Sequence, residues 1–332
     1  MKSLLSIAAV AAFVAAGPLQ AAPDTMQAVE IGPGLSISVQ TRPVPQPVPG
    51  EVLIKVRAAG VNPVDWKIAP RRVGLVPGID VAGVIDTLGE GVTGFKVGEP
   101  VFGFVQRSGS YAEYAVVPVT SLARKPKSMS FEEAAGLPTA AETAYRALHE
   151  AGRIARGQTV LIHGAAGGVG SAAVQIAKAA GARVIGTASP DNHEFLRSIG
   201  ADDVIDYRTQ RFEERVHDAD LVLNTVDALT NARSIGVVRR GGVLVSIVDR
   251  PNLAACAAAG IRCVRPDRET GAPNSDLFAR IIELVDAGKF HVNIERVYGM
   301  AEVADAWNHS REGHTRGKLI IRVSDGPTMK HQ

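Results

Sequence analysis

The sequence predicts an α/β protein with two architectures in one chain. Three observations carry that expectation. The first part has short apolar runs, some alternating with charged residues, separated by Gly and Pro. From about Thr159 strand and helix patterns alternate, the rhythm of a doubly wound parallel sheet. A glycine-rich turn sits between a strand and a helix where that rhythm begins. At 332 residues the chain is also too long for one ordinary core.

Composition narrows the class. Hydrophobic residues make up 46% and charged residues 21%, a globular balance that excludes bulk disorder. Lys+Arg 36 against Asp+Glu 34 gives a net charge of +2, without the basic excess of a nucleic-acid binder. Glycine is abundant, at 34 residues, and aromatics are only 5%, which favours tight turns and close backbone contacts. Cys256 and Cys263 are the only cysteines, too few for a disulfide scaffold or a four-cysteine zinc site.

The chain opens with a leader pattern over residues 1–22. Lys2 is the only charge before Asp24, Leu4 to Ala16 is apolar except for Ser6, and Gly17-Pro18 precedes Leu19-Gln20-Ala21-Ala22. A positive start, a short apolar run and a small residue at the cut define a signal peptide, cleaved after Ala21 or Ala22. No twin arginine is present, so the general secretory route is expected, leading to the periplasm or the exterior. The run is too short to span a bilayer, and no other uncharged run reaches that length, so no transmembrane helix and no stable membrane insertion are expected after the leader is removed. The competing reading starts synthesis at Met26 and leaves the protein in the cytoplasm.

From Met26 to about Leu137 the elements are strands. Glu51-Val-Leu-Ile-Lys-Val-Arg-Ala alternates in part, as a half-buried strand does, and Asp80–Leu88, Pro100–Val105 and Ser110–Val117 follow between Gly and Pro breaks. The stretch from Arg42 to Gly50 has alternate prolines that remove backbone donors, so it is expected as an extended surface connection. The second part reads as strand Thr159–His163, helix Ser171–Ala180, strand Ala182–Thr187, helix Asn192–Ile199, strand Asp203–Ile205, strands Leu221–Thr225 and Val243–Ile247, and a closing helix Ser275–Gly288. A last strand, Lys318–Val323, can rejoin the first part's sheet.

The turn Gly164-Ala-Ala-Gly-Gly-Val-Gly170 carries the strongest chemical signal. Ala165, Gly167 and Gly170 fall on the dinucleotide fingerprint, with Ala in the first glycine's place. Gly167 and Gly168 leave no Cβ in the way of a pyrophosphate, Gly170 lets helix and strand approach, and free N–H groups at the helix start attract the anion. The alternative is a purely structural turn. The next strand ends at Thr187-Ala188-Ser189, where a cofactor with a free ribose 2′-hydroxyl usually meets Asp or Glu. Small hydroxyl residues there leave room for a 2′-phosphate, and His193 and Arg208, beside Tyr207, offer donors or charge. This favours NADP(H) over NAD(H). Ser189 and His193 also suit the flank of the next helix, and the two roles are compatible.

Several motifs together carry a family resemblance. They are Pro49-Gly-Glu-Val-Leu-Ile-Lys-Val, Ala59-Gly-Val-Asn-Pro-Val-Asp65, Pro77-Gly-Ile-Asp-Val-Ala-Gly83, Val97-Gly-Glu-Pro-Val-Phe-Gly103, Gly109-Ser-Tyr-Ala-Glu-Tyr114, the glycine turn, Gly200-Ala-Asp-Asp-Val-Ile-Asp-Tyr207 and Gly317-Lys-Leu. From Met26 to Val323 the chain resembles the zinc-independent quinone oxidoreductase (zeta-crystallin-like) branch of the medium-chain dehydrogenase/reductase superfamily. The resemblance implies a GroES-like β-rich catalytic domain (26–137 and 290–324), an inserted Rossmann NADP-binding domain (138–289), a cleft between them and a homodimer. It places Asn62 in the substrate cleft near the nicotinamide and Thr143 on the nicotinamide side of the cofactor. Gly167, Gly168 and Val169 would hold the pyrophosphate, and Ser189, His193 and Tyr207 would lie near the adenosine phosphate. Val226, Val248 and Lys318 would line the rest. Two departures stand out. Lys67 replaces the tyrosine that many relatives carry after the matched Asp65, and the lysine many use for the phosphate is missing near Ser189, with His193 closest.

A catalytic zinc needs about three Cys, His or carboxylate ligands together. Zinc-bearing relatives place a cysteine where this chain has Asn62 or Val61 and a His-Glu pair at Ile79-Asp80, so no metal is expected and Asp80 reads as a loop anchor. Without a metal, hydride transfer from NADPH to a quinone or to the β-carbon of an enone asks least of the protein, because one or two hydrogen-bond donors stabilise the product anion. Asn62 and Lys67 are the candidate catalytic donors, and water can deliver the proton. Bland readings stand beside them: Asn62 as a turn residue before Pro63, Lys67 as a solvated lysine, Tyr111 as a strand core residue, His163 as a satisfied interior histidine, and Cys256 and Cys263 either as a disulfide or as two buried thiols. The expected function is NADPH-dependent reduction of a small quinone or enone, with no nucleic-acid partner. The alternatives are a non-catalytic NADP(H)-binding redox sensor or structural protein, and a zinc-free alcohol dehydrogenase.

Overall fold

The computed structural model describes residues 22–106, 109–266 and 274–323, so the leader, apart from its last residue, lies outside the described residues. In chain order the elements are β1 (Thr25–Ile31), β2 (Ile37–Pro43), β3 (Glu51–Val61), α1 (Pro63–Ile68), β4 (Asp80–Leu88), β5 (Pro100–Phe104), β6 (Tyr114–Pro118), β7 (Leu122–Arg124), α2 (Phe131–Gly136) and α3 (Pro138–Tyr145). They continue with β8 (Thr159–His163), α4 (Gly168–Ala179), β9 (Arg183–Ala188), α5 (His193–Ser198), β10 (Asp203–Asp206), β11 (Ala219–Asn224), α6 (Ala228–Ser234), β12 (Val238–Ser246), α7 (Leu253–Ala258) and β13 (Arg262–Val264). The last are α8 (Asn274–Asp286), β14 (Ile294–Gly299), α9 (Val303–Glu312) and β15 (Lys318–Arg322).

Two sheets organise the chain. The parallel sheet runs β10-β9-β8-β11-β12-β13, and the other runs β14-β15-β3-β4-β5-β7, with β6 on β3. The final strand β15 does return to the first sheet, antiparallel to β3, as the sequence suggests. The two are welded by α2 and α3, whose small residues Ala134, Ala135, Ala141 and Ala144 are buried in one cluster with Ala58 and Phe102 on one side and Ala173 and Ile176 of α4 on the other. α2 starts at a capping box: Glu133 N–H donates to Ser130 Oγ, and Ser130 N–H to the Glu133 carboxylate. Among the described residues no helix is long and apolar enough to cross a membrane.

The strand expected from Ser110 begins only at Tyr114. Residues 110–113 turn instead toward β1 and the loop after α1: Val29 N–H donates to Tyr111 O (2.8 Å) and Tyr111 N–H to Pro77 O (3.1 Å). Tyr111 is fully buried in the core but outside a strand. β12 starts five residues before the expected Val243, because its register against β11 slips between Ala219 and Leu221 and so accommodates Gly241-Gly242. The proline stretch beyond Pro43 carries no regular element and ends in a turn at Pro49-Gly50.

Cys256 of α7 and Cys263 of the edge strand β13 form a disulfide, with Cα atoms 6.0 Å apart. This settles the choice between bridge and thiols that the sequence leaves open. Both sulfurs are buried in the cluster on the outer face of the parallel sheet. Closing so short a loop removes denatured-state entropy worth about 2 kcal/mol. Replacing both cysteines by alanine is expected to lower unfolding free energy by roughly that amount in urea titrations, and the unreduced wild-type chain should show no thiol to alkylating reagents after denaturation.

Candidate active site

A cleft of about 870 Å³ lies between the sheets, bounded by the carboxyl ends of the parallel strands. Its floor is the glycine turn. Gly164 has φ +64°, and Gly167 N–H closes back on Gly164 O (3.1 Å). α4 then begins at Gly168 with Gly167 as its N-cap, aiming free N–H groups into the cleft. A Cβ on Gly170 would run into Gly164 O and lie 2.7 Å from the Cα of Ala165, so this glycine permits the strand–helix contact. A Cβ on Gly167 would meet only Gly164 O, at 3.5 Å, so that site is left open on the cleft side. Gly167, Gly168, Val169 and Gly170 line the cleft. Ala165 does not. It is fully buried beneath the turn, its N–H bonded to Thr187 O, and it supports the cradle rather than touching a ligand.

The sequence offers no hint that the C-terminal strand crosses this turn. Gly317 N–H donates to Ala166 O (2.8 Å), and Gly317 forms a bridge with Gly167. Its φ is +75° and a Cβ would strike Asn293, so only glycine fits. The residues on either side of Gly317 reach opposite ends of the cleft.

On one side, the Lys318 ammonium, 5% exposed, donates to Val61 O (2.9 Å) and Asn62 Oδ1 (2.5 Å) and lies 3.5 Å from Asp80 Oδ2. Asn62 Nδ2 donates to the same Asp80 oxygen (3.0 Å). An ammonium has only donors and a carboxylate only acceptors, so the Asn62 amide has one possible orientation. Asp80 Oδ1 accepts from Thr139 N–H (3.1 Å) and Thr139 Oγ1 (2.5 Å), tying β4 to α3. Asn62, Lys67, Thr143 and Lys318 all line this end of the cleft. Lys67 is exposed there, its ammonium 5.4 Å from the Trp66 ring.

On the other side, Arg316 reaches the corner where β9 ends. Its Nε donates to Asn192 Oδ1 (2.6 Å) and its Nη2 to Asp191 O (2.6 Å), and Asn192 Nδ2 donates to Ser189 Oγ (3.2 Å). Ser189, Asn192 and Tyr207 line the corner; His193 does not, and its Nε2 faces Ala188 O at 3.4 Å. Val226 and Val248 line the cleft between the two ends. Arg316 lies more than a hundred residues from this corner in sequence, so only the fold reveals it.

Two buried groups have displaced proton affinities. Asp65, at the third position of α1, accepts Asn62 N–H (2.8 Å) and Tyr111 OH (2.8 Å), while its Oδ1 has no partner among the described residues. Burial pushes its carboxyl up from 3.8 to about 7, against the pull of those two hydrogen bonds. His163 is held neutral, pushed down to about 3 by burial, with Thr187 Oγ1 at 3.3 Å and Ser234 Oγ at 3.1 Å. It is the satisfied interior histidine the sequence suggests.

With this geometry in place, comparisons with known proteins fix the class. Residues 48–127 match the alcohol dehydrogenase GroES-like domain and residues 199–321 the zinc-binding dehydrogenase family. A 2-methylene-furan-3-one reductase of Solanum lycopersicum is 35% identical over 84% of this chain and 73% of its own length. A chloroplast envelope quinone oxidoreductase homolog of Arabidopsis thaliana is 31% identical over 84% and 92%. The solved quinone oxidoreductase of Coxiella burnetii superposes with a TM-score of 0.83 at 30% identity, over 90% of this chain and all of its own. The chain belongs to the medium-chain dehydrogenase/reductase superfamily and is an oxidoreductase, with a GroES-like unit and a Rossmann-type parallel sheet.

The zinc that one family title implies does not fit the donor set. At the cleft end the oxygens of Asn62 and Asp80 already face an ammonium, and among the described residues no three His, Cys, Asp or Glu side chains gather. A nicotinamide dinucleotide does fit, through the open Cβ site of Gly167 and the α4 N–H groups; a Cβ on Gly168 would instead press on Lys318 and Gly317.

Two outcomes test this site. Gly167→Ala should leave the melting temperature within a degree or so and weaken nicotinamide-dinucleotide binding by about tenfold or more, whereas Gly170→Ala should destabilise the fold itself. For Asp65 the folded-state pKa exceeds the unfolded one, so the native chain holds the extra proton. Its stabilising contribution is complete below the unfolded value and is lost as pH climbs through about 7. Wild-type melting temperature relative to Asp65→Asn should therefore fall as pH is raised from about 5 to about 8; a pH-independent difference would contradict the assignment.

Proposed function

We propose that this chain is an NADPH-dependent reductase of quinones and α,β-unsaturated carbonyls that works without a metal. The observation that carries the reading is one continuous cleft. It joins the Ser189–Asn192–Tyr207 corner, the glycine cradle and the Asn62–Lys67 end in a single volume. The reductase and quinone oxidoreductase names of its relatives support the acceptor class.

When bound, the reduced nicotinamide supplies a hydride to an electron-poor carbon. The α4 N-terminus and Gly167–Gly170 hold the pyrophosphate. Asn62, clamped between Lys318 and Asp80, gives the acceptor pocket a wall that does not reorganise. The Lys67 ammonium hydrogen-bonds the acceptor oxygen where negative charge develops, and Lys67 or water returns the proton.

The adenosine corner favours NADPH. Among the described residues no carboxylate lines it, Ser189 and Asn192 present a hydroxyl and an amide, and Arg316 brings a guanidinium into hydrogen-bond reach of Asn192. Asp206 on β10 is occupied with Thr209 Oγ1 and Arg208 N–H. Arg316, which like His193 lies outside the lining, supplies positive charge beside Asn192 where the lysine is missing.

On the superfamily resemblance we also propose the division into 26–137 with 290–324 and 138–289, and a homodimer. The Cys256–Cys263 disulfide supports export through the leader at 1–22 into an oxidising compartment. β1 begins at Thr25, so cleavage after Ala21 or Ala22 spares it. Amino-terminal sequencing of the mature chain should begin at residue 22 or 23; a start at Met26 would place the enzyme in the cytoplasm instead.

The purified chain from Ala22 onward should oxidise NADPH with a simple quinone far faster than NADH. Arg316→Gln should raise KM for NADPH by about tenfold and leave that for NADH nearly unchanged. Tight NADPH binding with no oxidation by quinones or enones would overturn the reductase reading.

A further inference from the structure

The cleft has a one-sided charge. Of the described residues lining it none is Asp or Glu, whereas Lys67, Arg146, Arg265 and Lys318 contribute cations and His314 an imidazole. Two of these cations are already answered. Arg146 pairs with Glu142 and Glu150, and Lys318 is held by Val61, Asn62 and Asp80. Lys67, Arg265 and His314 are exposed and have no carboxylate partner among the described residues.

Their position separates them from the cofactor's phosphates. In the order β10-β9-β8-β11-β12-β13, the adenosine corner lies over β9 and β10 and the pyrophosphate cradle over β8. Arg265 follows β13, the opposite edge. Lys67 sits on α1 and His314 just beyond α9, two helices joined by the Trp66 indole N–H donating to Ser310 Oγ (3.1 Å). The Trp66 ring also lies 5.4 Å from the Arg311 guanidinium, which adds charge behind the rim. Apolar side chains line the same cleft: Val61, Ile79, Ile247, Val248 and Leu319. Apolar walls beside cations that have no carboxylate partner among the described residues focus a positive field on whatever enters.

We infer that the acceptor is amphipathic: its reducible enone or quinone sits against the apolar walls with its oxygen toward Lys67, and a fixed anion on the same molecule, a carboxylate or phosphate, is held at an outer rim formed by Arg265 with His314. This rests on the reductase reading and names the substrate class within it. Neutral quinones would meet the apolar walls but leave the rim unused.

The test uses the whole mature chain, saturating NADPH and three vinyl ketones that differ only at the far end of a short saturated spacer: carboxylate, phosphate or methyl ester. Their electrophilic carbons are equivalent, so rate differences report the rim. At low salt, kcat/KM for the anions should exceed that for the ester by about tenfold, and the ratio should collapse toward one near 0.5 M NaCl. Arg265→Gln should reduce the ratio and Arg265→Glu invert it. A larger gain for phosphate than for carboxylate would identify the anion as a phosphate. A ratio near one, indifferent to salt and to Arg265→Glu while all three ketones are reduced, would overturn the inference and leave the reductase reading intact. Should no ketone be reduced, quenching of bound NADPH fluorescence by acid against ester reads the same ratio without turnover. The reductase reading alone then falls if the anion preference persists, and both fall if it does not.

Discussion

The cleft depends on one buried cation. Lys318 carries its charge into a nearly solvent-free place, which is tolerable only with acceptors fixed around it. Those acceptors come from the end of β3, the cap of α1 and the start of β4, and the carboxylate among them also receives Thr139 at the start of α3. One ammonium therefore gathers β15, β3, β4 and α1, and through Asp80 also α3, and it orients Asn62 on the cleft wall. Removing it would leave Asp80 buried without a counter-charge and free Asn62 to turn over.

The neighbouring acid shows how environment divides similar groups. Asp80 faces Lys318 and three donors; Asp65, a short distance away, has two hydrogen bonds, one empty oxygen and heavy burial. The first lies against a cation with both oxygens answered by donors. The second holds its proton to near neutrality, so the pocket avoids two carboxylates competing for one ammonium at lower pH.

Much of the fold was legible because its signals are local. β4 and β8 fall where apolar runs and Gly or Pro breaks place them, and the glycine turn declares itself by lying between a strand and a helix. Local patterns misplace β6 and the start of β12, where tertiary pairing with β1 and a register slip against β11 override propensity. At the site, single residues were legible and couplings were not. Asn62, Lys67 and Lys318 could be singled out, but not that Lys318 holds Asn62, nor that Arg316 bonds Asn192 beside Ser189. His193 and Ala165 were drawn in by proximity in sequence and lie outside the lining. The disulfide needed the spatial approach of α7 and β13, which spacing alone leaves undecided.

Arg316, Gly317 and Lys318 are consecutive, yet they touch Asn192, the glycine turn and Asn62 in that order. Three residues span at most about 10 Å, and the left-handed Gly317 bends them into a short clasp across the glycine turn. The backbone at Gly317 therefore anchors both neighbours, one bonded to Asn192 and the other to Asn62. The two ends of the cleft share a single peptide link, and a substitution at residue 317 would be felt at both.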